Sequence, residues 1–253
     1  MLKVRIIPCL LFQNRTIVKS VKFKDLRMVG DPTTCARVFN ERKADELIFL
    51  DIVASRESKK PNFKVIEDIA HECFMPLTIG GGIRTMKDVD TLFEIGADKI
   101  SINTAAVKNP GLIRDVSKKY GSQAVVVSID VQMVGENQYK SFILSGTEDI
   151  EFTPIELAKK AESLGAGEIL LNSIDRDGVM NGYDCELIKQ VSEELNIPLI
   201  AVGGCGSLQD FVDAIEIGKA DAVCAASIFF WVGESIITVK QYIDKNKIPV
   251  RLN

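Results

Sequence analysis

Short apolar runs rich in β-branched residues recur along the chain at 4–10, 46–52, 76–79, 98–102, 123–130, 167–172, 198–202 and 221–225. Between them apolar residues return every three or four positions, over about 31–43, 61–74, 85–96, 109–120, 153–165, 183–195, 207–218 and 234–245. The first pattern predicts buried strands and the second amphipathic helices. Asp31-Pro32, Asn109-Pro110 and Thr153-Pro154 each place a capping side chain before a proline suited to the first helical turn. Eight strand–helix alternations predict a parallel sheet, and units of this length predict closure into a (β/α)8 barrel. An open doubly wound sheet is the competing arrangement. Neither GGGI (80–83) nor GGCG (203–206) fits the G-x-G-x-x-G fingerprint that would favour it.

The pattern also repeats. Residues 79–106, IGGGIRTMKDVDTLFEIGADKISINTAA, and residues 201–227, AVGGCGSLQDFVDAIEIGKADAVCAAS, share strand, glycine turn, helix, Ala-Asp and second strand. This predicts one barrel domain over 1–253 built of two similar halves, about 1–121 and 122–253. The longest irregular stretches, 13–30 and 131–150, follow corresponding strands, and the second holds a candidate hairpin through Gly135-Glu136-Asn137. Both are candidate substrate loops.

Composition narrows the function. Hydrophobic residues at 46% and charged residues at 26% fit one globular domain, and a net charge of −4 argues against a general nucleic-acid binder. No apolar run is long enough to span a bilayer, and Met1 leads directly into a strand-like segment, so a cytoplasmic, membrane-free protein is expected. The six cysteines are scattered without a C-x-x-C pair, which predicts reduced thiols. His71 is the only histidine and sits in a helical pattern, so no metal site and no cofactor are expected.

Barrel enzymes carry chemistry at the C-terminal ends of their strands. Those ends hold Cys9 to Leu11, Asp51, Thr78 with Gly80 to Gly82, Asn103-Thr104, Asp130, Ser173 with Asp175 and Asp177, Gly203-Gly204 and Ala226-Ser227. Gly81 and Gly82 with Asn103 and Thr104 form one candidate phosphate cradle. Gly178, Gly203, Gly204, Ala226 and Ser227 form the other. One glycine turn alone is ordinary turn chemistry, but two related by the repeat point to a substrate with a phosphate at each end. Asp130 ends an apolar strand, where an unpaired carboxylate is costly, and so reads as functional. Asp51 serves a structural or a functional role equally well. At the opposite face, Arg5, Glu46, Lys99 and Glu168 begin the first, second, fourth and sixth strands and predict a salt-bridge ring around the barrel axis. By itself such a ring reads first as structural.

These residues resemble the cyclase subunit (HisF) family of imidazole glycerol phosphate synthase over essentially the whole chain. The matching stretches are RIIPCL (5–10), Gly30-Asp31-Pro32, ELIFLDIVAS (46–55), GGGI (80–83), GADKISINTAAV (96–107), GSQAVVVSID (121–130), GAGEILLNSIDRDG (165–178), Gly203-Gly204 and VRL (250–252). The resemblance implies a barrel docked on a HisH-like glutaminase. Ammonia from that partner would enter past a gate of Arg5, Glu46, Lys99 and Glu168, with Asp98 at the partner interface. It would then react above with a bisphosphate ribulosyl-aminoimidazole substrate to give imidazole glycerol phosphate and an aminoimidazole carboxamide ribotide. Lys19, Asp51, Ser145 and Asp177 join the two cradles in the implied phosphate- and substrate-binding set.

The family's cyclisation relies on two aspartates, one per half. The second is Asp130, but Leu11 stands where the first belongs. Losing a positioned acid/base costs about 100- to 10,000-fold in rate. Asn14-Arg15, Ser20, Val179 and Val202 also depart from the family pattern near the substrate end. The expected function is therefore a HisF-like paralogue that relays ammonia for amidination of a surface-polysaccharide sugar, with a sugar amidotransferase as a further partner. A genuine cyclase of histidine biosynthesis is the alternative, and a scaffold that only stimulates a glutaminase is the third reading.

Overall fold

The computed structural model describes residues 3–136 and 138–252, so Asn137 of the expected hairpin lies outside the described residues. From the N-terminus, β1 (Arg5–Gln13) leads into an antiparallel pair, β2 (Thr16–Val21) and β3 (Lys24–Gly30), before α1 (Pro32–Glu41). β4 (Leu47–Asp51), α2 (Phe63–Glu72), β5 (Leu77–Gly80), α3 (Met86–Glu94) and β6 (Lys99–Ile102) follow, then α4 (Thr104–Lys108) and α5 (Gly111–Tyr120). β7 (Val125–Gly135) has its own excursion, β8 (Gln138–Ile143) and β9 (Glu148–Asp149), before α6 (Pro154–Ser163). β10 (Glu168–Ser173), α7 (Cys185–Ser192), β11 (Leu199–Val202), α8 (Leu208–Glu216), β12 (Ala222–Ala225) and α9 (Ile236–Lys245) complete the chain.

Parallel pairing runs β1–β4–β5–β6–β7–β10–β11–β12 and returns from β12 to β1. The fold is a closed (β/α)8 barrel. Every strand expected from the apolar runs is present within a few residues of its place. The two stretches that looked irregular carry strands instead: β2 pairs with β1 at Leu11↔Val18, and β8 pairs with β7 at Asp130↔Phe142. Lys19 and Ser20 are buried in β2, and two polar residues inside the run hide its strand period.

A strand side chain points to alternate faces, and a closed barrel turns one face to the axis. Ile6, Leu10 and Phe12 of β1 join the outer core with Phe39 and Ile69 of the helices. Ile7 and Cys9 face inward with Ile48, Val126, Leu170, Ile200, Ala222 and Cys224 as a separate apolar plug. Among the described residues no helix is long and apolar enough to cross a membrane.

The two repeated segments use the same local devices. Thr85 caps α3 with Asp88 returning to the cap backbone, and Ser207 and Asp210 do the same for α8. Asp98 takes the Leu77 N–H at 2.8 Å, and Asp221 takes the Leu199 N–H at 2.9 Å, each tying a strand start to its neighbour. Asp45 does this for Ile6, also at 2.8 Å. Thr85→Ala and Ser207→Ala should each lower unfolding free energy by about 1 kcal/mol. Urea unfolding checks this, and a silent change at either site would show that the two caps are not equivalent.

Candidate functional site: an ion ring below and a half-polar cavity above

The inward faces of β1, β6 and β10 each begin with a charge, and Glu46 stands immediately before β4. Arg5 Nη1 lies 2.7 Å from Glu46 Oε1 and 2.9 Å from Glu168 Oε1. Lys99 Nζ lies 3.0 Å from Glu46 Oε2 and 3.0 Å from Glu168 Oε1. Each cation touches both carboxylates, so four residues far apart in sequence close a ring of alternating sign. Burial opposes the Arg5 charge, but Glu168 and Glu46 outweigh it and hold the guanidinium above its ordinary value. Glu168 Oε2 is buried and has no hydrogen-bond partner. On the helix side of the strand starts, Asp45 is clasped by buried Lys240 at 2.7 Å, which ties α9 to the strand starts that carry Arg5 and Glu46. Asp98, exposed on this face, spends one oxygen on the Leu77 N–H.

At the other end of the same columns lies a cavity whose wall includes Cys9, Leu11, Leu50, Asp51, Gly81, Asn103, Thr104, Asp130, Ser145, Asn172, Asp177, Val202 and Ala226. Leu11 and Asp130 therefore share one chamber. Asp130 is 8% exposed, and burial pushes its carboxyl up to about 7; the Asn172 amide works against that rise and Asp177 adds to it. Asp177 is also raised by burial, opposed by hydrogen bonds from Ser20 and Phe23 N–H. Asp51 is raised by burial too, and its Oδ1 accepts from Val53 N–H at 3.1 Å and Ala54 N–H at 3.0 Å, fixing the loop after β4.

Several sequence candidates are engaged with the protein itself. Asn103 Nδ2 donates to Ser128 O and Phe142 O, both at 3.1 Å. Thr104 Oγ1 accepts from Leu144 N–H at 3.1 Å, and Ser145 Oγ donates to Ile52 O at 2.6 Å. Gly82 N–H donates to Ser55 Oγ at 3.2 Å. Lys19, Gly82, Gly178, Gly203, Gly204 and Ser227 are not part of the cavity wall. Lys19 is buried, donates to Cys9 O at 2.7 Å and lies over the Phe230 ring, and burial lowers its pKa. Gly178 has φ of +68°, and a side chain there would strike the Ser20 carbonyl, because the β2–β3 hairpin lies across it. Ser20 Oγ donates to Asp177, and Lys22 N–H donates to Asp177 O at 2.8 Å.

The sequence reading missed Asn172, Ser55, Arg56, Phe23 and Leu26 on the wall. Asn172 was recoverable, since it stands two and four places beyond the inward residues Leu170 and Glu168. Phe23 and Leu26 were not, because only the folded hairpin brings them to the mouth.

A carboxyl with a raised folded pKa binds more protons folded than unfolded, so its contribution to stability falls as pH rises from 3.8 to about 7. Asp130→Asn removes that burden. The variant should melt higher than the parent at pH 8, by up to about 4 kcal/mol of stability, and the gain should shrink by more than half at pH 5. Thermal unfolding at both pH values checks this, and a gain independent of pH would contradict it.

Comparison with known proteins places the chain in a family. A family profile described as "Histidine biosynthesis protein" matches residues 5–233. The imidazole glycerol phosphate synthase subunit HisF of Alkaliphilus metalliredigens (strain QYMF) is 45% identical over 251 residues, covering 99% of this chain and 100% of that protein. A protein named putative imidazole glycerol phosphate synthase subunit hisF2, from Pseudomonas aeruginosa, is 45% identical over 250 residues, with 99% and 100% covered. The HisF subunit of Hydrogenobaculum sp. (strain Y04AAS1) is 46% identical over 252 residues, with both chains fully covered. With full-length identity at this level, a closed barrel and a matching family profile, the chain belongs to the HisF family.

Proposed function

We propose that this chain is the barrel subunit of a glutamine-dependent, ammonia-relaying pair, and that it no longer performs efficient imidazole cyclisation. The observation that carries this reading is Leu11 facing the same cavity as Asp130, above a four-membered ion ring. Ammonia is small and neutral, so a column lined by Ile7, Cys9, Ile48, Val126 and Ser101 offers it passage without the cost of burying an ion. A HisH-like glutaminase would dock on the ring face, with Asp98 at its edge, and Arg5, Glu46, Lys99 and Glu168 would gate the intake.

At the cavity, cyclisation needs protons taken and returned at two places. Asp130, with its carboxyl near 7, suits one of them. A leucine side chain can neither take nor give a proton. Ammonia arriving there would go to another acceptor, and amidination of a surface-polysaccharide sugar by a separate amidotransferase is the destination we favour. The Gly81, Asn103 and Thr104 side of the cavity, with Arg56 beside it, would hold one phosphate of a small-molecule ligand. Gly178, Gly203, Gly204, Ala226 and Ser227 would hold a second if the β2–β3 hairpin lifts.

The second reading is a working cyclase of histidine biosynthesis, favoured by the full-length identity to HisF subunits and by Asp130. Turnover of the bisphosphate ribulosyl-aminoimidazole substrate with ammonium salt separates the two. The proposal expects a rate about 100-fold or more below that of an intact HisF, and a large rise in Leu11→Asp. A rate equal to an intact HisF would establish the second reading, while a flat response to Leu11→Asp would place the limit in the loops. In the complex with a glutaminase, Lys99→Met should lower glutamine-dependent product formation while leaving ammonium-dependent formation nearly unchanged. Equal losses would argue against a conducting channel.

A further inference from the structure

The charges on the chamber wall are unevenly placed. Asp51, Arg56, Asp130 and Asp177 line it, and Arg56 is the one cation among them. The loop after β4 sets its place. Gly82 N–H donates to Ser55 Oγ at 3.2 Å, which fastens that loop to the glycine turn after β5 and leaves Arg56 beside the turn. Glu57, the acid next to Arg56 in the chain, pairs with Lys59 instead. Asp51 spends its Oδ1 on the Val53 and Ala54 N–H groups. Arg56 is thus an exposed guanidinium at the chamber edge whose neighbouring acids are engaged elsewhere.

The opposite end differs in charge and in access. Asp130 and Asp177 supply two carboxylates there, and Leu11, Val202 and Ala226 supply apolar surface. The turn at Gly178 is covered by the Ser20 carbonyl. The hairpin that carries Ser20 is held from two sides. Lys22 N–H donates to Asp177 O at 2.8 Å, and the Phe23 ring lies so close to Gly146 that a β-carbon there would come within 2.8 Å of it. Two cations stand near this end, and neither reaches the wall. Arg176 packs beside Gly204 but turns its Nη1 to Asn181 O at 3.4 Å, and Lys19 donates to Cys9 O. A phosphate at this end would meet two carboxylates and a carbonyl with no wall cation to offset them, and like charges at short range repel.

We propose that the chamber is selective for a ligand with a single anionic end, a sugar monophosphate, and that Arg56 is the binding residue that anchors its phosphate. A planar guanidinium can meet two phosphate oxygens at once. The uncharged hydroxylated tail would lie toward Asp130, with Ser101, Ser128 and Ser145 on the wall as hydrogen-bonding groups. This rests on the reading that the Gly81, Asn103 and Thr104 side holds a phosphate, and it commits the other end to a tail without one.

The test is calorimetric titration of the full chain at one pH and ionic strength with ribose, ribose 5-phosphate and ribulose 1,5-bisphosphate. Ribose 5-phosphate should bind, ribose should not, and the bisphosphate should bind no more tightly than the monophosphate. Arg56→Gln should weaken ribose 5-phosphate about tenfold, and Arg56→Lys, which keeps the charge, should weaken it less. Arg56 is exposed, so both variants should keep the parent's melting temperature. A bisphosphate bound tenfold or more tighter than the monophosphate would overturn the proposal while leaving the phosphate end in place. Parent-like binding by Arg56→Gln would overturn it as well. If neither sugar phosphate bound, the phosphate-end reading would fall together with the proposal. The relay of ammonia is untouched by any of these results, because the titration needs no glutaminase.

Discussion

Side chains on a strand alternate between two faces, and in a closed barrel one of those faces has nowhere to point but the axis. Function here is built on that constraint. On β1 the inward column reads Arg5, Ile7, Cys9, Leu11, and on β10 it reads Glu168, Leu170, Asn172. Each column starts at the ion ring, crosses the apolar plug and ends in the cavity. A slip of one residue in register would send the ring charges into the helix layer and the outer core into the axis. Asp45, Asp98 and Asp221 guard against this by taking N–H groups at the starts of neighbouring strands.

The ring itself is a poor device for stability. Removing charges from water costs several kcal/mol per ion, and replacing buried pairs by apolar residues is often neutral or stabilising. Glu168 even leaves one buried oxygen unpaired. A purely structural floor could be made of leucines. Four charges that alternate in sign at one end are easier to understand if the floor has to admit something small and polar while refusing bulk water.

Much of this was legible in the residues. The eight apolar runs gave the strands because each is buried on both faces, and the glycine repeat at 79–106 and 201–227 gave matching turns. The charges at 5, 46, 99 and 168 could be placed together because each sits at a strand start on the inward parity. What stayed hidden depends on contacts across the chain. The β2–β3 hairpin lies over the loop after β10 through Ser20 and Lys22 to Asp177, a link spanning 157 residues for the serine. Lys19, which the resemblance places among the substrate-binding residues, lies buried over the Phe230 ring and donates to the Cys9 carbonyl, contacts that its sequence neighbours do not announce. The glycine at 178 looked like half of a phosphate cradle, and its immediate reason is the hairpin carbonyl resting on it.

The central claim is that nitrogen supply and ring closure have been uncoupled by one side chain in the chamber. The direct measurement is stoichiometric: combine the chain with its glutaminase, glutamine and the bisphosphate ribulosyl-aminoimidazole substrate, and count glutamate formed against imidazole glycerol phosphate formed. The account predicts that glutamate accumulates in large excess over the imidazole product. One glutamate per imidazole would mean that Leu11 has not broken the cyclisation, and the account would be wrong.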